Sequence, residues 1–108
     1  MSETKKNYEF LQSKQGAEVG VSEWILIDQS KIDDFAKVTQ DNQFIHTDPK
    51  RARNETDFGG TIAHGFLVLS LASKFSLDVF GANSQKSVSI NYGFDKVRFI
   101  SPVLTNSF

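Results

Sequence analysis

Between Phe66 and Phe80 the chain carries Leu67, Val68, Leu69, Leu71, Ala72, Phe75, Leu77 and Val79, which puts apolar side chains on almost every side of a helix drawn through the segment. Such a helix has to be enclosed by protein. Gly81 follows as a natural stop, because glycine accepts the left-handed backbone conformation that closes many helices. The simplest partner for one enclosed helix in a small chain is a curved antiparallel sheet, which gives an α+β class.

Two other regions read as strand. After Gly16, the series Val19, Val21, Trp24, Ile25, Leu26 and Ile27 is rich in β-branched and aromatic residues, as in a strand entered through a turn. Val88, Ile90, Tyr92 and Phe94 alternate on even positions, whereas Val97 and Phe99 continue on odd ones, so a bulge or bend is expected over residues 93–96. Pro102 then ends the strand or sets it at an edge. These strands are too few to wrap the helix alone. Before the first of them, residues 2–14 are polar except for Tyr8, Phe10 and Leu11, and form either a frayed lead-in or a short helix docked through those three.

Ser30 with Asp33 makes a capping box, and Ile32, Phe35, Ala36 and Val38 recur near helical spacing, which predicts an amphipathic helix from residue 31 to about 40. Asp48-Pro49 starts a second helix of one or two turns through Arg53, since the carboxylate caps free N–H groups and proline loses nothing at the first position. Residues 54–60 read as loop.

The length of 108 residues suits one domain, 1–108, with a modest core. With 12 basic against 13 acidic side chains and a net charge of −1, nothing favours a nucleic-acid or anionic-membrane partner. The absence of cysteine removes disulfides, thiolate metal sites and a cysteine nucleophile, and agrees with a reducing compartment. No apolar stretch in the sequence is long enough to span a bilayer, so the expected location is the cytoplasm.

Two constellations bear on chemistry. In Gln40-Asp41-Asn42-Gln43-Phe44-Ile45-His46 a carboxylate and an imidazole stand five residues apart, about 140° apart on an unbroken helix, so convergence on one water needs a turn between them. Asp41-Asn42 suggests that turn. Such a pair can hold a water and exchange protons with it near neutral pH. On spacing alone, the plainer alternative is a turn aspartate and a half-buried loop histidine. In Phe58-Gly59-Gly60-Thr61-Ile62-Ala63-His64-Gly65-Phe66 a glycine opens the buried helix, where free N–H groups can stabilise an oxyanion. Here the plainer alternative is that the glycines serve only the turn and close packing. His64 fits capping or packing as well as proximity to a substrate. The two histidines lie 18 residues apart and Asp41, Asp48 and Asp57 show no recognised ligand spacing, so no metal site is expected.

Three blocks, VTQDNQFIHTDPKRA, FGGTIAHGFLVLSL and INYGFDKVRFISPV, resemble in order the MaoC-like dehydratase group, which includes (R)-specific enoyl-CoA hydratases, and most of all its nodulation-protein-N-like branch. The resemblance implies a hot-dog fold, in which a curved antiparallel sheet wraps a long central helix, and a homodimer or higher homo-oligomer. It also implies a sheet that continues through strands beyond the position of Phe108. By position, the family's catalytic aspartate falls on Asp41, its histidine on His46 and its oxyanion glycine on Gly65. Ser73 would support the pair, and Ile62, Ala63, His64 and Phe66 would line the substrate.

The activity implied is hydration of a trans-2-enoyl-CoA to the (R)-3-hydroxyacyl-CoA, reversible as a dehydration. It needs no cofactor beyond the CoA or carrier-protein thioester. One departure is Gln43-Phe44, where the best-known hydratases carry Asn-Pro before the apolar residue and histidine. The rival readings are a hot-dog acyl-CoA thioesterase and a non-catalytic acyl-thioester-binding protein.

Overall fold

The computed structural model describes residues 3–81 and 89–108, so the predicted strand position at Val88 lies outside the described residues. Among the described residues six helices follow one another: α1 (Glu3–Ser13), α2 (Gln29–Thr39), α3 (Phe44–Thr47), α4 (Pro49–Glu55), α5 (Gly65–Ser70) and α6 (Ala72–Phe80). They fall into two compact units. One comprises residues 24–71 and 96–108, the other residues 1–23 and 72–95.

The first unit holds the core. Ile27, Ile32, Ala63 and Leu67 form its buried cluster, and Ile25, Phe35, Val68, Leu71 and Val103 pack against it. Helix α2 starts earlier than the capping-box reading placed it. Asp28, two residues before Ser30, is the cap, its Oδ1 accepting from the Lys31 amide at 2.9 Å. Ile32 and Ala36 are buried, while Val38, about 120° round the helix from Ile32, is 82% exposed. A left-handed Gln40 (φ 63°) closes α2.

Helix α4 behaves as Asp48-Pro49 suggested. Asp48 accepts from the Arg51 amide at 3.1 Å, proline occupies the opening of the helix, and Ala52 is fully buried. It runs two residues past Arg53 before Thr56, whose hydroxyl donates to the Ala52 carbonyl, ends it.

The predicted strands are where the structure departs most from the sequence reading. Among the described residues the pairing consists of two isolated antiparallel bridges, Ile27 with Ser107 and Ile62 with Leu104. The bonds are Ala63 N to Val103 O at 2.8 Å, Thr105 N to Thr61 O at 3.1 Å, Asn106 N to Ile27 O at 2.7 Å and Ile27 N to Ser107 O at 2.8 Å. Pairing therefore begins after Pro102 rather than ending there. Residues 18–26 and 89–100 have strand composition without a ladder, because a strand exists only through the neighbour that takes its backbone groups. The bulge expected over 93–96 has no ladder to interrupt.

The long helix is also divided. At Leu71 the amide turns back to the Val68 and Leu69 carbonyls, a tightened turn that separates α5 from α6. Leu67 is buried on α5, whereas α6, expected to be enclosed, has no buried residue. An apolar helix is buried only where something packs over it, and within its own unit α6 is met at Val79 by Gly20, which leaves Phe75 and Val79 half-buried.

In the second unit, Lys74 donates to Asp78 at 2.6 Å and the Glu23 amide donates to the same carboxylate at 3.1 Å. These bonds, that from Lys74 foremost, hold the Asp78 carboxyl below its ordinary range. Helix α6 ends at Gly81 with φ 62°, the left-handed stop that the sequence suggested. Helix α1 exposes Tyr8, Phe10 and Leu11, so it is a helix but not one docked through them. No helix among the described residues is long and apolar enough to cross a membrane.

Candidate active site

Between α2 and α4 the backbone makes the turn that convergence requires. The left-handed Gln40 redirects the chain, Asp41 Oδ1 lies 3.5 Å from the Gln43 amide, and α3 is a single turn that ends with His46 and Thr47. The result is that Asp41, His46 and His64 each present a ligand-type atom, all within 4.8 Å of one another. His46 and His64 are buried at 7% and 2% exposure, and Asp41 is half-buried.

Backbone carbonyls orient both rings. His46 Nδ1 lies 2.7 Å from the Ile62 carbonyl, and a carbonyl can only accept, so in the neutral ring Nδ1 carries the proton and Nε2 keeps the lone pair. His64 is the converse. Its Nε2 lies 3.0 Å from the Asp41 carbonyl and takes the proton, which leaves Nδ1 as the acceptor. The rings stack with centroids 3.8 Å apart and planes 23° apart, and the Phe35 ring packs against His64 with centroids 4.9 Å apart and planes at 60°. His64 opens α5 without capping it, its side chain being turned to Asp41 instead.

A second network holds the backbone at His46. Gln29 Nε2 donates to the His46 carbonyl at 2.7 Å and to Asp33 at 2.9 Å, while its Oε1 accepts from Thr61 Oγ1 at 2.5 Å. Thr61 is buried, and its hydroxyl pairs with that of Thr105 at 2.6 Å. Sequence reading missed Gln29, Thr61 and Thr105. None sits within ten residues of His46, and a polar residue that reaches across the fold leaves no local pattern.

Asp41, His46 and His64 thus form a cluster of ligand-type atoms that their spacing in the sequence does not suggest. Its donor set, one carboxylate and two imidazoles, is of the kind that zinc accepts. The stack works against that use. Rings nearly parallel at this separation send their in-plane lone pairs side by side rather than toward one ion.

Of the other residues singled out in the sequence, Ile62 lies beside the pair through its backbone, its amide donating to Ile45 O at 3.0 Å, whereas the buried Ala63 donates its amide to Val103 O at 2.8 Å. Phe66 is 68% exposed and meets Phe99 edge-on at 5.8 Å. Ser73 belongs to the other unit, where its hydroxyl lies 3.5 Å from Asn91 Oδ1.

Gly65 opens α5, whose first N–H groups have no acceptor within the helix. Its missing side chain also has a packing use, since a Cβ there would lie 2.7 Å from Phe99 Cδ2. Gly65→Ala is therefore expected to cost about 1 kcal/mol, the overpacking outweighing alanine's better helix propensity. In a Phe99→Ala background the same change should become neutral or stabilising. A double-mutant cycle in urea reads this coupling, and equal costs in both backgrounds would show that Phe99 is not the obstacle.

The chain is 53% identical to nodulation protein N of Rhizobium leguminosarum bv. viciae over 95 residues, which are 88% of this chain and 59% of that protein. It is 42% identical to 3-hydroxyacyl-thioester dehydratase Z of Mycobacterium tuberculosis over 97 residues, 90% of this chain and 63% of the dehydratase. The chain thus spans about three fifths of the length of these relatives. The structure matches that of a monoamine oxidase regulatory protein from Archaeoglobus fulgidus with a TM-score of 0.64 and 30% identity, over 86% of this chain and 63% of the other. The structural neighbours are MaoC-like hot-dog proteins, the MaoC like domain model matches residues 10–107, and on these grounds the chain belongs to the MaoC-like dehydratase family.

Proposed function

We propose that this chain carries the acid/base site of a 3-hydroxyacyl-thioester dehydratase, acting reversibly as a trans-2-enoyl-CoA hydratase of (R) specificity. The observation that carries the reading is the convergence of Asp41 and His46 on one small volume, with the His46 lone pair on the ring nitrogen away from Ile62. The relationship to dehydratase Z supplies the reaction class.

In hydration, His46 Nε2 and the Asp41 carboxylate hold a water, whose oxygen bonds to C3 of the enoyl thioester as one of its protons passes to the pair. A proton is returned to C2, giving the 3-hydroxyacyl product with no net change in the enzyme. Negative charge develops on the thioester oxygen, and the Gly65 N–H at the start of α5 is the donor assigned to it. Ile62, Ala63, His64 and Phe66 flank the acyl group. The chain's own groups suffice for this chemistry, the CoA or carrier thioester being part of the substrate.

The test is crotonyl-CoA with the purified chain, following loss of the conjugated enoyl absorbance and the configuration of the product. Release of free thiol with the double bond intact would mean a thioesterase. Binding without turnover would mean an acyl-thioester-binding protein.

The assembly proposed is a homodimer or higher homo-oligomer. Within the unit that holds the site, Trp24, Ile100 and Phe108 are 83%, 91% and 74% exposed and offer apolar surface that a second copy could cover. Sedimentation at micromolar concentration is expected to give at least twice the monomer mass of 12.1 kDa. A stable, well-folded monomer would contradict it.

A further inference from the structure

We propose that His64 is a positioning residue for the Asp41–His46 pair, a proposal that rests on the acid/base reading above. Its two contacts fall on different members of the pair. The Nε2–H donates to the backbone carbonyl of the residue that bears the carboxylate, and the ring face lies against the imidazole of His46.

Each contact removes a freedom that the pair would otherwise have. Asp41 follows a left-handed residue and its side chain is only half-buried, so little else holds its place beyond the 3.5 Å contact with the Gln43 amide. The His46 ring is pinned at one atom by Ile62 and could still tilt about that bond. The flat face of His64, itself packed against the Phe35 ring, restricts the tilt.

The two contacts use different parts of the imidazole. Phenylalanine would keep a stacking face but lose the donor, and glutamine would keep a donor near Nε2 but lose the face. A core histidine kept only for packing would need neither contact in particular. The remaining atom, Nδ1, is buried and has no hydrogen-bond partner among the described residues, so the ring is not anchored from that side. Its placement relies on the Asp41 carbonyl and the two aromatic contacts.

The experiment combines kinetics with imidazole ¹⁵N spectroscopy, which two histidines make simple to assign. In the wild-type chain the neutral rings are expected to show opposite tautomers, His46 protonated on Nδ1 and His64 on Nε2. His64→Phe and His64→Gln, each checked for retained fold by thermal melting, should lower kcat for crotonyl-CoA by roughly 10- to 100-fold with KM held within about threefold. In both variants the His46 ring, free to tilt, should loosen its bond to the Ile62 carbonyl and so show a mixture of tautomers. His64→Gln should retain more activity than His64→Ala, because the bond to Asp41 survives.

Folded variants with wild-type kcat, or a His46 tautomer indifferent to the changes, would overturn the proposal. If no variant folds, the wild-type spectrum decides: a His64 ring averaged between tautomers overturns it, and opposed tautomers uphold it. Lack of turnover by the wild-type chain would overturn the dehydratase reading instead, and the tautomer criterion would still apply to the arrangement of the rings.

Discussion

Asp41→Asn and His46→Gln are each expected to lower kcat for hydration of crotonyl-CoA by about 10² to 10⁴, the usual contribution of a positioned acid or base. Both changes are nearly isosteric. Asparagine keeps the side-chain oxygen that faces the Gln43 amide, so the turn after α2 survives while the carboxylate base is lost. Glutamine can still place an amide near the Ile62 carbonyl but has no group that takes and returns a proton. Substrate affinity should change far less than kcat, because the lost interaction belongs to the transition state. If the two residues act as a unit on one water, the double mutant will be little worse than the poorer single mutant. Ser76→Ala, an exposed change on α6, is the control. Folded mutants that keep most of their activity would make the pair structural and remove the basis of the proposed function.

The largest effect on stability is expected at Ile32, the only large side chain among the described residues that is fully buried. Truncating a buried isoleucine to alanine costs about 2–5 kcal/mol, from lost transfer free energy and the cavity left behind. Against a typical total of about 5–15 kcal/mol, this would leave a substantial unfolded population. Ile32→Val should cost only about 0.5–1.5 kcal/mol. Val38→Ala, on the exposed side of the same helix, should fall within about 0.5 kcal/mol of zero. Urea denaturation of the three variants separates these outcomes. A loss below 1 kcal/mol for Ile32→Ala would mean that α2 does not close the core at this position.

The site was legible in the sequence to the extent that it depended on residue type and local order. An aspartate, a turn and a histidine within one short stretch could be read as a converging pair, and the turn exists, made by Gln40 and α3. The glycine at the start of the apolar run could be read as a helix opening, which it is. His64 was seen as close to a substrate, but its place against both members of the pair was not visible, since it depends on a loop that returns to α2 and α3. The strands were over-read for a related reason. Valine, isoleucine and aromatic residues describe a segment that fits a pleated surface, and composition says nothing of whether a neighbouring chain segment supplies the ladder.

By itself, the sequence determined the features that adjacent residues create: the cap at Asp48 with Pro49, the left-handed stop at Gly81, the apolar character of Leu67 and its neighbours, and three blocks that belong to one family. These depend on backbone sterics and hydrogen bonds within a few residues, which amino-acid type controls directly. The tertiary structure alone decided where those features are used. It placed the Ile62 carbonyl on His46 Nδ1 and the Asp41 carbonyl on His64 Nε2, two contacts made by backbone atoms that every residue possesses. Such contacts assign each ring its proton and its lone pair, yet they leave no mark in the sequence, because a carbonyl at position 62 or 41 would be there whatever the side chain.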